Sequence, residues 1–335
     1  MTDPPVTAAS DASSNPGSAG RLRGLRYLAR RLTHFVISLV VLVTGAFLMV
    51  ELVPGDAAQT SAGANASGEL VEQRRVELGL DRPLPERYVR LWTGMATGDL
   101  GESTTLRVPV SEVLKVRLPA TLELALLAVF LILLLAVPIG LAAGALTRGG
   151  RRPMLEAGYT STATVLSVIP EFLLGVGLVY VFAVQTDLLP VAGRSGPASY
   201  VLPVAALVGG STAALSRIVR AETLNVLDQD YVRTARAKRM SWIRLYLRHV
   251  LPNILTTTLT LSGLLLGGMM AGTVLVENIF AWPGLGATIV QAIISKDYPL
   301  VQAIVITYGI LILLINLVID LLLMVVDPRT TLRES

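Results

Sequence analysis

The sequence predicts an all-α integral membrane protein of six transmembrane helices, with both termini on the cytoplasmic side. Three observations carry that expectation. Of 335 residues, 53% are hydrophobic and only 16% charged, against about 25% charged in an ordinary soluble domain. The apolar residues cluster into runs close to or beyond the ~20 residues that cross a hydrocarbon core of about 30 Å. Basic residues concentrate in alternate connections between those runs. With a mean hydropathy of +0.63, the charged groups cannot cover a water-facing surface.

Residues 1–20, MTDPPVTAASDASSNPGSAG, hold almost no large apolar group and are expected as a disordered cytoplasmic tail. Residues 21–335 then form the membrane domain. Arg21, Arg23, Arg26, Arg30 and Arg31 precede an apolar run from Leu32 to Val53. A signal peptide has the same layout with an apolar core of about 7–15 residues, so a run of about 22 favours a retained first span. The long segment 54–118 is expected to be extracytoplasmic, a helical lid that leads into span two. Ser67 before GELVEQRRVEL, with Gly79 beyond it, reads as a capped helix; Pro85 opening PERYVRLWTGMATG, with Gly98 closing it, reads as another.

Span two is expected over about 119–146, from Pro119 to the RGGRR turn, and span three over about 154–184 with a kink at Pro170. Spans four, five and six follow over about 200–220, 252–276 and 299–326. Gly175, Gly177, Gly263, Gly267 and Gly268 are small residues that let helices approach closely in lipid. Six spans put the N-terminal arginines, Arg148, Arg151, Arg152, the basic set from Arg217 to Arg248, Arg329 and Arg333 on one side. The opposite short loops carry only Arg194 and Lys296, near Asp187 and Asp297. That asymmetry places both termini in the cytoplasm.

Several function classes drop out. There is no cysteine, which excludes disulfides and thiolate metal sites. His34 and His249 lie far apart, each beside basic residues, so no metal is expected. The net charge of +4 comes without the aromatic–basic interleaving of a nucleic-acid binder. No Gly-x-x-x-x-Gly-Lys loop occurs, so the chain is not expected to hydrolyse ATP. No catalytic constellation marks an intramembrane enzyme.

Five ionisable residues sit in or beside spans: Glu51, Glu123, Glu171, Glu277 and Asp320. Charge at membrane depth is costly and often functional. Glu51, Glu123 and Glu277 are expected near the interface, whereas Glu171 and Asp320 are candidates for a translocation path.

The connection between spans four and five, about 221–251, is longer than the 2–8 residues of a simple helix–helix link. Tyr231, Val232, Ala235 and Ala237 alternate there with Arg233, Thr234, Arg236, Lys238 and Arg239, and Leu251-Pro252 open span five. A short surface helix fits this pattern. Two readings stay open: a basic anchor on anionic headgroups, or a docking handle whose small residues admit a partner. Between spans five and six, Glu277 and the corner Trp282-Pro283-Gly284 read either as an interfacial anchor or as an outer gate.

The stretch DYVRTARAK…LRHVLP resembles the cytoplasmic loop of ABC importer permeases: Glu-Ala-Ala, three residues, Gly, nine residues, then Ile-x-Leu-Pro. Here the pattern falls on Arg233-Thr234-Ala235, Arg239 and His249-Val250-Leu251-Pro252. Ala235, Leu251 and Pro252 match and the spacing is kept. Arg233, Thr234 and His249 depart from it, and Arg239 replaces a glycine. The variant resembles the B-type dipeptide and oligopeptide branch. So do LVPGD at 52–56, LGLDRPL at 78–84, GDLGES at 98–103 and RLPATLELAL at 117–126. ENIFAWPGLG at 277–286, DYPLVQ at 297–302 and DPR at 327–329 complete the order.

The resemblance implies the type I importer permease fold and a permease subunit for di- or oligopeptides, with no cofactor of its own. It implies a second homologous permease, two ATP-binding subunits or domains that use the ATP, and an extracytoplasmic solute-binding protein. It makes residues 231–239 the ATPase-docking helix, with Ala235 and Ala237 as contact points. Nickel chelates, glutathione and oligosaccharides are alternative solutes in the same class. An ion-coupled secondary transporter is the rival class, and it usually shows an internal repeat that this sequence lacks.

Overall fold

A computed structural model describes residues 16–52, 57–63 and 65–326. The tail before residue 16, residues 53–56 of the LVPGD segment and the DPR segment lie outside them. Among the described residues no strand forms; an isolated bridge joins Glu102 and Pro109.

The first helix, α1, runs Pro16–Leu52. Residues 16–20, expected in the tail, instead open this helix, and Pro16 has the fixed φ that suits a first helical position. The lid segment holds α2 (Ala57–Ala62), α3 (Gly68–Glu77) and α4 (Leu84–Thr97). Ser67 caps α3 by accepting from the Leu70 amide at 3.4 Å, and Gly79 and Gly98 close α3 and α4 with left-handed backbones. Of the lid helices, α4 docks on α1. The Tyr88 ring meets Phe47 edge-on at 5.4 Å, its hydroxyl lies 2.8 Å from Thr44 Oγ1, and Arg87 pairs with Glu51 at 2.5 Å.

Val110–Thr147 form α5, 38 residues or about 57 Å at 1.5 Å per residue. It therefore starts well before Pro119, and its N-terminal turns stand outside a core of about 30 Å. A 3-10 turn, Arg148–Gly150, leads to α6 (Pro153–Val168) and α7 (Glu171–Leu178), which meet at a 97° bend. The sequence explains the break: Pro170 disfavours a helical residue before it, and Ile169 is extended at φ −67°, ψ 121°. A π-helical stretch, Val179–Gln185, continues α7.

Ala198–Leu227 form α8, so the first residues of the expected 221–251 loop still belong to the helix of the expected fourth span. Asp230–Ala237 form α9, and Trp242–Leu245 form α10, prolonged by a π-helical Tyr246–Val250. The last three helices are α11 (Leu251–Ile279), α12 (Leu285–Ile294) and α13 (Tyr298–Val326). Among the described residues, α1, α5, α8 and α13 contain stretches long and apolar enough to cross a membrane. The bent pair from Pro153 to Gln185 would make a fifth.

The core centres on α5 packed along α8, with α11 beside them. Two glycines set that approach. A Cβ at Gly140 would stand 2.4 Å from the Ser216 carbonyl oxygen, and one at Gly144 would stand 2.8 Å from the Thr223 side chain. These lie one turn apart on one face, the spacing of small-residue contacts in membranes. Of the small residues marked in the sequence, Gly175 and Gly263 meet neighbours, while Gly177 and Gly268 face open space.

Ion pairs tie the helices at both ends. At one end Arg31 meets Asp320 at 3.4 Å, Arg148 meets Asp228 at 2.7 Å and Arg220 meets Glu156 at 2.5 Å. At the other, Arg194 meets Glu123 at 2.6 Å, beyond the lid contact of Arg87. The basic loops thus gather at one end of the bundle.

Candidate functional site

At the basic end, α9 presents two faces. Val232 and Ala235, one turn apart, are buried in the same apolar cluster as Leu245, Tyr246 and Val250. Tyr231, Arg233, Thr234, Arg236, Ala237, Lys238 and Arg239 are exposed. Arg233 pairs with Asp230 on its own helix at 3.3 Å, a solvated contact of little energetic weight. Ala235, expected as a contact point for a partner, is turned into this chain instead. Its small side chain lets α9 lie close on its own core, and Ala237 is left as the small residue on the open face. Leu251 and the exposed Pro252 open α11 directly after the π-helical stretch, where a proline removes an amide donor from the helical ladder.

The turn after α9 is built as a helix terminus. The Met240 amide donates to the Ala235 carbonyl at 3.3 Å and the Arg239 amide to the Arg236 carbonyl at 2.9 Å. This double bond pattern demands a left-handed residue between them, and Arg239 supplies it at φ +53°. The departure from glycine seen in the sequence is therefore accommodated, at the strain a Cβ meets there, about 1 kcal/mol.

At the opposite end, the corner after α11 is a buried polar clasp. Trp282 and Glu277 are both 0% exposed. The indole Nε1 donates to the Ala120 carbonyl at 2.9 Å, and its ring meets Tyr200 edge-on at 4.7 Å. The interfacial-anchor reading needs an indole facing headgroups; here protein encloses it. Glu277 is met by three donors: Thr121 Oγ1 at 2.7 Å, the Gly286 amide at 2.6 Å and the Ala287 amide at 3.1 Å. The two amides belong to the first turn of α12, whose free N–H groups and dipole favour a carboxylate. Thr121 also accepts from the Leu285 amide at 2.8 Å. A Cβ at Gly284 would fall 2.4 Å from the Glu277 carboxylate, so no larger residue fits beside Pro283.

A second clasp joins the segment before α5 to the start of α13. Asp297 is fully buried. It accepts from Ser103 Oγ at 2.5 Å, the Thr104 and Thr105 amides at 3.2 and 3.1 Å, and the Leu300 amide at 3.3 Å. Ser103, Thr121 and Asp297 were not singled out as site residues in the sequence. Their signal lay in the quoted segments, which the fold pairs: GDLGES with DYPLVQ, and RLPATLELAL with ENIFAWPGLG.

The remaining ionisable candidates separate by partner. Glu51, Glu123 and Asp320 each hold an arginine, which makes Asp320 a link between α1 and α13. Half-buried Glu171 receives a hydroxyl from Ser211 at 3.3 Å and lies against the α11 backbone at Gly272. No group of three or more potential metal ligands occurs among the described residues.

Two family models cover the chain. Residues 24–125 match the N-terminal part of binding-protein-dependent transport system membrane components, and residues 136–332 match the inner membrane component itself. A glutathione transport system permease protein of Salmonella paratyphi A is 36% identical over 304 residues, spanning 91% of this chain and 98% of its own length. The protein of the same description from Pectobacterium atrosepticum is 34% identical over the same share. A putative peptide transport system permease protein of Brucella abortus is 36% identical over 310 residues, 90% of this chain and 98% of that protein.

Proposed function

This chain belongs to the binding-protein-dependent transport system inner membrane component family and is an inner-membrane permease subunit, not an enzyme; on that premise we propose that it forms half of the pathway of an ATP-driven peptide importer. Six helices cross the bilayer, α11 and the bent α6–α7 pair among them, with the basic end cytoplasmic. The asymmetry of basic residues between the two ends supports this orientation. A second homologous permease completes the pathway, two ATP-binding subunits drive it, and an extracytoplasmic binding protein delivers the solute.

The observation that carries the proposal is α9. It is a short helix whose inner face is locked onto the bundle by Val232 and Ala235, while Tyr231, Arg233, Thr234, Ala237 and Lys238 stand open at the basic end. A motor subunit gripping that face moves α8, α10 and α11 with it. ATP must bind one state of the assembly more tightly than the other for this movement to do transport work. At the far end, the Glu277–Trp282–Pro283–Gly284 corner acts as an outer gate that moves as a unit with α5 and α12. Glu171, held by no arginine or lysine among the described residues, lines the solute path.

Ala237→Trp tests the docking face without touching the buried one. With partner ATPases reconstituted, the variant should insert normally and lose most ATP-driven peptide uptake. Wild-type uptake by this variant would overturn the assignment of α9.

Glutathione is the second reading, favoured by relatives described as glutathione permeases. It is a tripeptide and shares an ammonium and carboxylates with ordinary peptides. Competition of glutathione against a dipeptide series in the same uptake assay separates the two.

A further inference from the structure

At the basic end, the turn after α5 and the segment around α9 and α10 enclose a cleft of about 440 Å³ lined by Arg148, Arg151, Arg236, Trp242 and Tyr246, among others. That is room for a polar headgroup, within the usual range of small-ligand sites. The cleft is built by local backbone geometry. Gly149 and Gly150 both take left-handed backbones, φ +67° and +69°, which turn the chain back so that Arg148 and Arg151 border one space.

The three guanidinium groups differ in how they are held. Arg148 is fixed: its Nη2 donates to Asp228 at 2.7 Å and to the Leu227 carbonyl at 2.8 Å, and its Nε donates to Asp228 at 3.2 Å. The guanidinium groups of Arg151 and Arg236 make no hydrogen bond or ion pair among the described residues. Three positive charges thus border one cleft with one carboxylate among them, which leaves a net positive lining that an anion complements. Guanidinium forks match the oxygens of phosphate. The lining also includes an aromatic pair: Trp242 is 68% exposed, with Tyr246 beside it at 5.2 Å between ring centres. An exposed indole at the end of a membrane helix is the side chain that partitions to the headgroup layer. Burial keeps the Tyr246 phenol above its ordinary pKa against the opposing pull of Arg148, so it stays a neutral donor.

We propose that this cleft binds the phosphate of an anionic lipid headgroup from the adjoining leaflet. Arg151 and Arg236 donate to the phosphate oxygens, the fixed Arg148 adds its charge, and Trp242 lies at the level of the lipid glycerol. Basic pockets at helix ends take anionic headgroups by this chemistry. Because Arg236 belongs to α9 and Arg151 to the loop after α5, an occupied cleft ties the surface helix to the bundle through the lipid.

The test is lipid retention by the full chain in detergent, read by native mass spectrometry during titration with phosphatidylglycerol or phosphatidylcholine. Wild type should retain phosphatidylglycerol preferentially. The double variant Arg151→Gln/Arg236→Gln should weaken that binding about tenfold or more, the worth of two hydrogen bonds between charged groups. A charge-matched control on the open face of α9, Arg233→Gln/Lys238→Gln, should leave it within about twofold. All four side chains are exposed, so neither pair disturbs the core. Equal retention by wild type and the cleft variant overturns the proposal, and so does equal loss in the control, which would mean diffuse attraction. Displacement of the lipid by millimolar inorganic phosphate would also overturn the lipid assignment, leaving a free-anion site.

Discussion

Arg239 carries the clearest residue-scale consequence, because its left-handed backbone is one that glycine adopts without strain. Arg239→Gly relieves the Cβ conflict, about 1 kcal/mol, against a cost of roughly 0.5–1 kcal/mol for the freedom that glycine adds to the unfolded chain, for a net gain of up to about 0.5 kcal/mol. Amide exchange over residues 235–240 should slow by up to about twofold, and clearly faster exchange would contradict the strain argument. Asp297 works in the opposite direction. Asp297→Ala leaves Ser103 Oγ and three amides without their acceptor, a loss of about 3 kcal/mol. Limited proteolysis should then cut within residues 98–109 well before wild type is cut. Glu171→Gln keeps size and removes charge. If the carboxylate meets the ammonium end of a passing peptide, uptake should fall about tenfold with ATPase binding intact. Unchanged uptake removes Glu171 from the path.

Between elements, the decisive contact is α5 on α8. Gly140 faces the Ser216 carbonyl oxygen with no space for a Cβ, so Gly140→Leu must push the two helices apart. Overpacking of this kind costs about 1–3 kcal/mol, and a thermal shift in detergent should register it. Gly268→Ala, which meets nothing within 4 Å, should leave the melting temperature unchanged or slightly raised. The same reasoning separates α9 from a free loop. A helix of eight residues is too short to persist alone in water, and it is held by two buried side chains and a closed C-terminal turn. Its pose is therefore a property of the bundle, as a mechanical handle requires.

For the whole molecule, the orientation of the basic end is directly testable because the chain has no cysteine. Lys238→Cys should react with a membrane-impermeant maleimide only in inside-out vesicles, and Arg75→Cys on α3 only in right-side-out ones. The reverse pattern would invert the topology and remove α9 from any cytoplasmic motor. Helix positions were legible in the sequence: apolar length, Ser67, Gly79, Pro170 and Pro252 act within a turn or two of themselves. Partners were not. Thr121 and Glu277 are 156 residues apart, and Ser103 and Asp297 are 194 apart. Nor could periodicity say which face of α5 meets α8, since a membrane helix is apolar toward lipid and protein alike. Composition, run length and local stop signals by themselves determined a helical protein that spans a membrane several times, and the order of its helices. Tertiary structure alone decided that Ala235 points inward, that Trp282 and Glu277 are sealed in a clasp, and that three arginines share a cleft, because contacts between distant segments depend on rotational phase and close approach.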